Sequence, residues 1–225
     1  MNRPAIDLVC LDMAGTTVSD DGAVMAAFGQ ALDALDVEEG TDQRDAMSAY
    51  VIETMGQSKI AVFRALFGSD ELAERANGAF EAAYERCIDA GEVAPLPGAV
   101  DAIEELRSSG RRVALMTGFS PRTRDALLDA LGWKNIADLS VCPSEAGRGR
   151  PYPDMVLHAV IALGIDDVAR VAVVGDTAAD VTTGLRAGAS RVIGVLTGAD
   201  SRERLEAAGA TDVIESVREL PELLR

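Results

Sequence analysis

The segment Asp12-Met13-Ala14-Gly15-Thr16-Thr17 follows directly on the apolar run Ile6-Asp7-Leu8-Val9-Cys10-Leu11. A carboxylate at the carboxyl end of a buried parallel strand, followed by a small-residue turn, suits a nucleophile facing a phosphoryl group. Backbone N–H groups of such a turn, here at Gly15 and Thr16, can cradle phosphate oxygens. Many enzymes built this way place a second aspartate two residues beyond the nucleophile, as general acid for an alkoxide leaving group. Here that position is Ala14. Either the leaving group needs no such acid, or its proton comes from elsewhere.

Three further clusters end on, or just after, apolar runs. Thr117-Gly118 follows Val113-Ala114-Leu115-Met116 and offers a hydroxyl and a backbone N–H to phosphate. Gly149-Arg150-Pro151-Tyr152-Pro153 follows Val141-Cys142, and Arg150 could hold phosphate in a forked geometry. Gly175-Asp176-Thr177-Ala178-Ala179-Asp180 follows Val171-Ala172-Val173-Val174. Asp176 and Asp180 are one helical turn apart, so both can face one hard cation. Singly each has a plain structural explanation: a turn, a surface arginine, a first-turn acid favoured by the helix dipole. Together, in this order, they make a site for Mg²⁺ and a phosphoryl group.

The elements that must position these residues follow from hydrophobic patterning. Strand patterns cover 6–11, 112–116, 138–142, 168–174, 191–195 and 212–214. Helix patterns cover 121–131, 152–163, 178–187, 201–208 and 217–224. The alternation predicts an α/β, doubly wound, Rossmann-like parallel sheet, which binds ligands at the carboxyl ends of its strands. Residues 20–92 break the rhythm with helix patterns alone, over 23–35, 43–67 with an interruption expected at Gly56, and 70–90. They predict a small helical cap inserted into a core of 1–19 and 93–225, sitting over the strand ends as a lid.

Composition narrows the partners. Of 225 residues, 37 are Asp or Glu and 21 are Lys or Arg, a formal net charge of −16. Such a surface repels nucleic acid and anionic membranes. An anionic substrate then depends on a metal ion or a few placed basic groups. Three cysteines, Cys10, Cys87 and Cys142, form no framework. With no basic, long-apolar leader and no run of membrane-spanning length, the expectation is a cytoplasmic protein.

Only two residues are lysines, Lys59 and Lys134. On a helix, Met55, Val62, Phe63 and Leu66 fall around Lys59, while Gln57, Arg64 and Ala65 fall opposite. An amine on an apolar face either snorkels to water or stays desolvated, able to form a Schiff base with a carbonyl.

The four clusters resemble the motifs of the haloacid dehalogenase superfamily, with Arg150 where most members carry lysine. The likeness spans nearly the whole chain, helical cap included. It implies that Asp12 forms an aspartyl-phosphate. It also implies Mg²⁺ held by Asp12, the backbone carbonyl of Ala14 and Asp176, with Asp180 supporting the ion or its waters. Asp-x-Ala-Gly-Thr with Arg-Pro-Tyr-Pro is similar to phosphonoacetaldehyde hydrolase (phosphonatase) and its relatives, which carry a cap lysine in Met-Gly-x-x-Lys. This chain has Met55-Gly56-Gln57-Ser58-Lys59. Phosphonatase has a histidine three residues after that lysine, and here the position is Val62. The single histidine, His158, lies in a core helix pattern.

A Schiff base would explain Ala14. A carbanion is a very poor leaving group, but an iminium on Lys59 accepts the electrons as an enamine when a C–P bond breaks. No alkoxide leaves, and no acid is needed at residue 14. The first expectation is therefore a Mg²⁺-dependent hydrolase of a small carbonyl phosphonate. The second is a phosphomonoesterase in which Lys59 is a substrate-binding cation. The third, a phosphate-binding module that lost its acid, fares worst because nucleophile, metal aspartates and phosphate cation are all present. The resemblance also implies a homodimer, for which the apolar helix over 23–35 could pair two caps.

Overall fold

The structure is a computed structural model that describes residues 5–19 and 21–225. The first four residues of the expected core segment, and Asp20, the first residue of the expected cap, lie outside the described residues. In chain order the elements begin with β1 (Leu8–Asp12) and β2 (Val18–Ser19). Four helices follow: α1 (Ala23–Asp33), α2 (Asp42–Glu53), α3 (Lys59–Phe67) and α4 (Asp70–Asp89). Then come β3 (Ala94–Pro95), α5 (Ala99–Ser108), β4 (Arg112–Met116), α6 (Pro121–Ala130), β5 (Leu139–Val141), α7 (Pro143–Ala146) and α8 (Asp154–Ala162). The chain ends with β6 (Val171–Gly175), α9 (Ala178–Ala187), β7 (Arg191–Val195), α10 (Arg202–Ala208), β8 (Asp212–Ile214) and α11 (Leu220–Leu223).

Six strands form one parallel sheet in the order β5-β4-β1-β6-β7-β8. The chain moves outward from β1 through β4 to β5, then crosses back to β6 on the other side of β1. The crevice outside the carboxyl ends of β1, β4 and β6 is thus the topological switch point, where such sheets bind ligands. β1 is buried at all five positions because helices cover both faces of the sheet. Val9 and Leu11 join one apolar cluster, and Leu8 and Cys10 join another, as the two-residue strand period requires.

Helices α1–α4 occupy the stretch between β2 and β3. Those two short strands pair antiparallel, Val18 with Pro95 and Ser19 with Ala94, so the chain leaves and re-enters the sheet side by side. Phe28 of α1, Phe63 of α3 and Phe80 of α4 form the centre of the helical segment, with ring centroids 4.8–6.2 Å apart. The segment also meets the sheet domain directly: Glu85 of α4 pairs with Arg122 of α6 at 2.8 Å.

Several elements depart from the sequence expectation. The interruption expected at Gly56 is present, but it is wider than a single residue: the pattern over 43–67 is two helices, broken at 54–58, with Gly56 at φ 84°. Met55 and Lys59 are therefore not on one helix: Met55 sits in the loop and Lys59 is the first residue of α3. β6 starts at Val171, since Asp167 accepts a hydrogen bond from the Ala169 N–H (2.8 Å) and begins a 3₁₀ turn over Val168–Arg170. The helix expected over 217–224 is a 3₁₀ turn (Val217–Glu219) running into the short α11. Helix α5 was not anticipated, although Ala99, Ala102, Ile103 and Leu106 carry a helical stripe. The apolar face of α1 is spent within the chain, with Ala27, Phe28, Ala31 and Leu32 all buried.

Candidate active site

β1, β4 and β6 end side by side, and each delivers one chemical group. β1 ends in Asp12. β4 runs into Thr117-Gly118, and β6 ends at Gly175 just before Asp176. Asp180 is placed by a capping box. The Thr177 hydroxyl accepts a hydrogen bond from the Asp180 N–H (3.3 Å), and the Asp180 carboxylate accepts one from the Thr177 N–H (3.2 Å). One carboxylate oxygen from each of Asp12, Asp176 and Asp180 lies within 4.8 Å of the others. All three side chains are buried.

Arg150 reaches this trio from the loop before α8. It is buried, and its Nη1 donates to Asp12 Oδ1 at 2.5 Å and also to Asp180 Oδ1. Its Nε is buried without a hydrogen-bond partner. Two of the three carboxylates, Asp12 and Asp180, thus share one guanidinium. Burial pushes Asp12 up to about 6; Arg150 opposes this and Asp180 adds to it. Burial, with the charges of Asp12 and Asp180, raises Asp176 well above the usual carboxylate range. Burial alone would lower Arg150, but the two facing carboxylates outweigh it and hold the guanidinium charged. A cluster with this excess of buried negative charge, built from hard oxygen donors, fits a divalent cation such as Mg²⁺.

The loop after β7 braces the site. The Ala199 N–H donates to Asp176 Oδ2 (2.8 Å) and the Thr197 hydroxyl donates to Gly15 O (2.7 Å). A Cβ on Gly198 would overlap the Asp176 carboxylate, so only glycine lets the loop approach this closely. The sequence reading passed over these residues. A signal was present, because Thr197-Gly198 stands just beyond a strand as Thr117-Gly118 does.

The turn after Asp12 is built differently from the expectation. The Gly15 N–H donates to Val18 O (2.8 Å) and the Thr16 N–H to Met13 O (3.1 Å), so both amides are used inside the turn rather than offered to phosphate. Gly15 still lines the cavity, whereas Thr16 is fully buried and its hydroxyl donates to Asp176 Oδ1 at 3.2 Å. Thr16 therefore orients a carboxylate. Thr117 spends its N–H on Val141 O (3.2 Å) and its hydroxyl accepts from the Phe119 N–H (3.2 Å), which leaves the hydroxyl proton to donate.

A cavity of about 360 Å³ opens over these groups. Asp12, Ala14, Asp176, Thr117, Gly118 and Arg150 line it from the sheet side, and Met55, Gly56 and Lys59 line it from the helical segment. The two sides are in tight contact. The Lys59 N–H donates to Gly118 O at 3.4 Å, and a Cβ on Gly118 would stand 2.6 Å from Gln57 O. Lys59 does not snorkel: it is 8% exposed. Its Nζ lies 5.3 Å from the Phe119 ring centroid, 5.7 Å from that of Phe28 and 6.0 Å from that of Phe80. Aromatic faces at this range favour a positively charged nitrogen. Val62 is buried beside Phe63 on α3, and His158 lies on α8, outside the residues lining the cavity. Ala14 is half-buried and brings no acid to the cavity.

Comparison with known proteins agrees with this arrangement. The family model for haloacid dehalogenase-like hydrolases matches residues 6–188. A phosphonoacetaldehyde hydrolase from Pseudomonas fluorescens is 34% identical over 205 residues, covering 83% of this chain and 72% of that protein. One from Parabacteroides distasonis is 28% identical, over 95% of this chain and 93% of that protein. Among solved structures, a hydrolase from Pseudomonas syringae superposes with a TM-score of 0.83 at 27% identity, over 97% of each chain. A phosphonoacetaldehyde hydrolase-like protein from Oleispira antarctica superposes with a TM-score of 0.82 at 25% identity, over 99% of this chain and 92% of that one. With its parallel sheet, its strand-end aspartates and these relatives, the chain belongs to the haloacid dehalogenase-like hydrolases.

Proposed function

We propose that this hydrolase cleaves the C–P bond of a small carbonyl phosphonate, with Asp12 as nucleophile and Lys59 as the imine-forming amine. The observation that carries the reading is one cavity lined both by Asp12 and by a buried, ring-surrounded Lys59, with Ala14 where an acid would stand. In this reading residues 20–92 act as the cap that brings Lys59 to the core. The names of the relatives support the same substrate class.

Lys59 attacks the carbonyl carbon and water leaves, giving an iminium whose positive charge the rings of Phe28, Phe80 and Phe119 stabilise. Arg150 and the Thr117 hydroxyl hold the phosphonate oxygens and point phosphorus at Asp12. An Asp12 oxygen then attacks phosphorus and the C–P bond breaks. Its electron pair moves into the iminium, which becomes a neutral enamine, and phosphorus is left as an aspartyl-phosphate on Asp12. The enamine carbon takes a proton from water, hydrolysis frees Lys59, and a second water releases phosphate from Asp12. Because Val62 has no proton to give, the proton transfers at the imine run through water. Mg²⁺ bound by Asp12, the Ala14 carbonyl, Asp176 and Asp180 would neutralise charge on the phosphonate oxygens. No disulfide joins Cys10, Cys87 and Cys142, which supports a reducing cytoplasmic setting.

The ring cage suits an ammonium as well as an iminium, which keeps the phosphomonoesterase reading testable. Borohydride reduction in the presence of phosphonoacetaldehyde should add the mass of the reduced imine at Lys59. Absence of the adduct, together with turnover of p-nitrophenyl phosphate, would replace the proposal by the phosphomonoesterase, in which Lys59 binds charge. In the proposed mechanism Lys59→Arg retains the charge and loses phosphonate turnover.

A further inference from the structure

The loop 54–58, which leads into Lys59, starts where α2 ends at Glu53. Around that start the helical segment and the sheet domain leave a gap. A cavity of about 270 Å³ lies there, lined by Ile52, Glu53 and Met55 from the helical segment and by Ala178, Asp200 and Arg204 from the sheet domain. Arg204 of α10 crosses the seam. Its Nη2 donates to the Glu53 carbonyl oxygen at 3.2 Å, and its Nε pairs with Asp200 Oδ1 at 3.1 Å.

Both partners suit a guanidinium. The last carbonyls of a helix lack intrahelical donors and carry the negative end of its dipole. Asp200 is a firm anchor, with a side chain only 8% exposed. Its Oδ2 accepts from the Ala178 N–H at 2.7 Å, and its own N–H donates to the Asp176 carbonyl oxygen at 3.1 Å. Arg204 therefore ties the end of α2 to the backbone that presents Asp176 and opens α9. Its planar fork sets separate donors on the two acceptors, which the single nitrogen of a lysine does less well.

We propose that Arg204 is a positioning residue for Lys59: by fixing the end of α2 it sets where the loop 54–58 begins, and so where the amine stands relative to Asp12. The inference rests on the Schiff-base reading and adds to it a residue outside those lining the active-site cavity. Gln57 against Gly118 holds the far part of the loop, and a Cβ on Gly56 would stand 2.4 Å from the Thr177 hydroxyl oxygen. Arg204 holds the near end. The Arg204 side chain is 45% exposed, so its bonds add little to global stability and its variants should fold.

The test compares the full chain with Arg204→Leu and Arg204→Lys, all with Mg²⁺. Two quantities are read. One is the rate of borohydride trapping of phosphonoacetaldehyde at Lys59. The other is the dissociation constant of inorganic phosphate, which in the proposed mechanism meets Arg150 and Thr117 and not the amine. Arg204→Leu should slow trapping about tenfold, less than the hundredfold cost of a larger misplacement of reacting groups. Phosphate should bind it as it binds the parent. Arg204→Lys keeps a cation between Asp200 and Glu53 and should trap faster than Arg204→Leu but slower than the parent. Trapping by Arg204→Leu at the parent rate overturns the inference. A parallel loss of phosphate binding also overturns it, because that marks a general structural role, and so does Arg204→Lys trapping no faster than Arg204→Leu. In each of these cases an adduct at Lys59 in the parent keeps the Schiff base. Absence of an adduct in the parent refutes both levels.

Discussion

At the scale of single residues the site is governed by charge that burial makes expensive. Asp12, Asp176 and Asp180 stand together with Arg150 between Asp12 and Asp180, so each carboxylate receives only part of the neutralisation it needs. Removing the guanidinium should therefore do more than remove a phosphate contact. Arg150→Met is expected to cost about 3 kcal/mol of stability in metal-free protein, the lower end of the range for breaking a buried ion pair. It should also lower turnover far more than Arg150→Lys, which keeps a cation between the two aspartates. Urea denaturation and steady-state kinetics on the three proteins check this. Equal stability of Arg150→Met and the parent would mean that the pairing contributes nothing. Ala14 is informative for the opposite reason: it is an apolar residue where an acid would protonate an alkoxide, and the proposed reaction needs no such acid because electrons leave through the imine. Val62 is a different case, since the imine chemistry still needs proton transfers and in the proposed reaction water carries them.

At the scale of elements the decisive contact is the loop 54–58 laid across the strand ends. Three features hold Lys59 over Asp12. They are the break between α2 and α3, the left-handed Gly56, and the close approach of Gln57 to Gly118. Gly118→Ala tests this. Its Cβ would stand 2.6 Å from the Gln57 carbonyl oxygen, and neither backbone can yield cheaply. The loop should lift, carrying Lys59 away from the phosphonate carbonyl. The expected result is a fall in kcat/KM of about a hundredfold on a carbonyl phosphonate, as for other small misplacements of reacting groups. Borohydride trapping at Lys59 should slow in parallel. Unaltered trapping would show that the loop position does not control the amine.

At the scale of the whole molecule, stability should depend on pH and metal together. Burial raises Asp12 from 3.8 to about 6 on folding, and Asp176 moves in the same direction. The folded chain therefore holds more protons than the unfolded chain between those values. Stability then falls as pH rises from about 4 through about 6, the reverse of the behaviour of a salt-bridged aspartate with a lowered pKa. Metal-free protein is expected to melt at a higher temperature at pH 5 than at pH 7.5. Mg²⁺ should raise the melting temperature at pH 7.5 more than at pH 5, because it binds the ionised carboxylates of the folded state. Differential scanning calorimetry with and without Mg²⁺ at the two pH values decides. A melting temperature that Mg²⁺ leaves unchanged at pH 7.5 would remove the metal from the account. Among the described residues no helix is long and apolar enough to cross a membrane.

Much of this architecture was legible in the sequence for a simple reason. β1, β6 and β7 are buried on both faces and so read as unbroken apolar runs, and chemistry placed at their ends stands where the pattern stops. Asp12, Thr117 and Asp176 could be located that way without coordinates. Helix α5 was legible but overlooked, and so was Thr197-Gly198. Other features depend on contacts between residues far apart in the chain, which no local period records. One is the width of the break expected at Gly56, which places Met55 in a loop. Another is the use of the Gly15 and Thr16 amides inside their own turn. The ring cage around Lys59 draws on Phe28, Phe80 and Phe119 from three separate elements. The sequence by itself determined the groups and the sheet that aligns them. The tertiary structure alone decided that a lysine 47 residues beyond Asp12 closes on the same cavity, because only the folded chain brings the loop 54–58 onto Gly118 and Thr177.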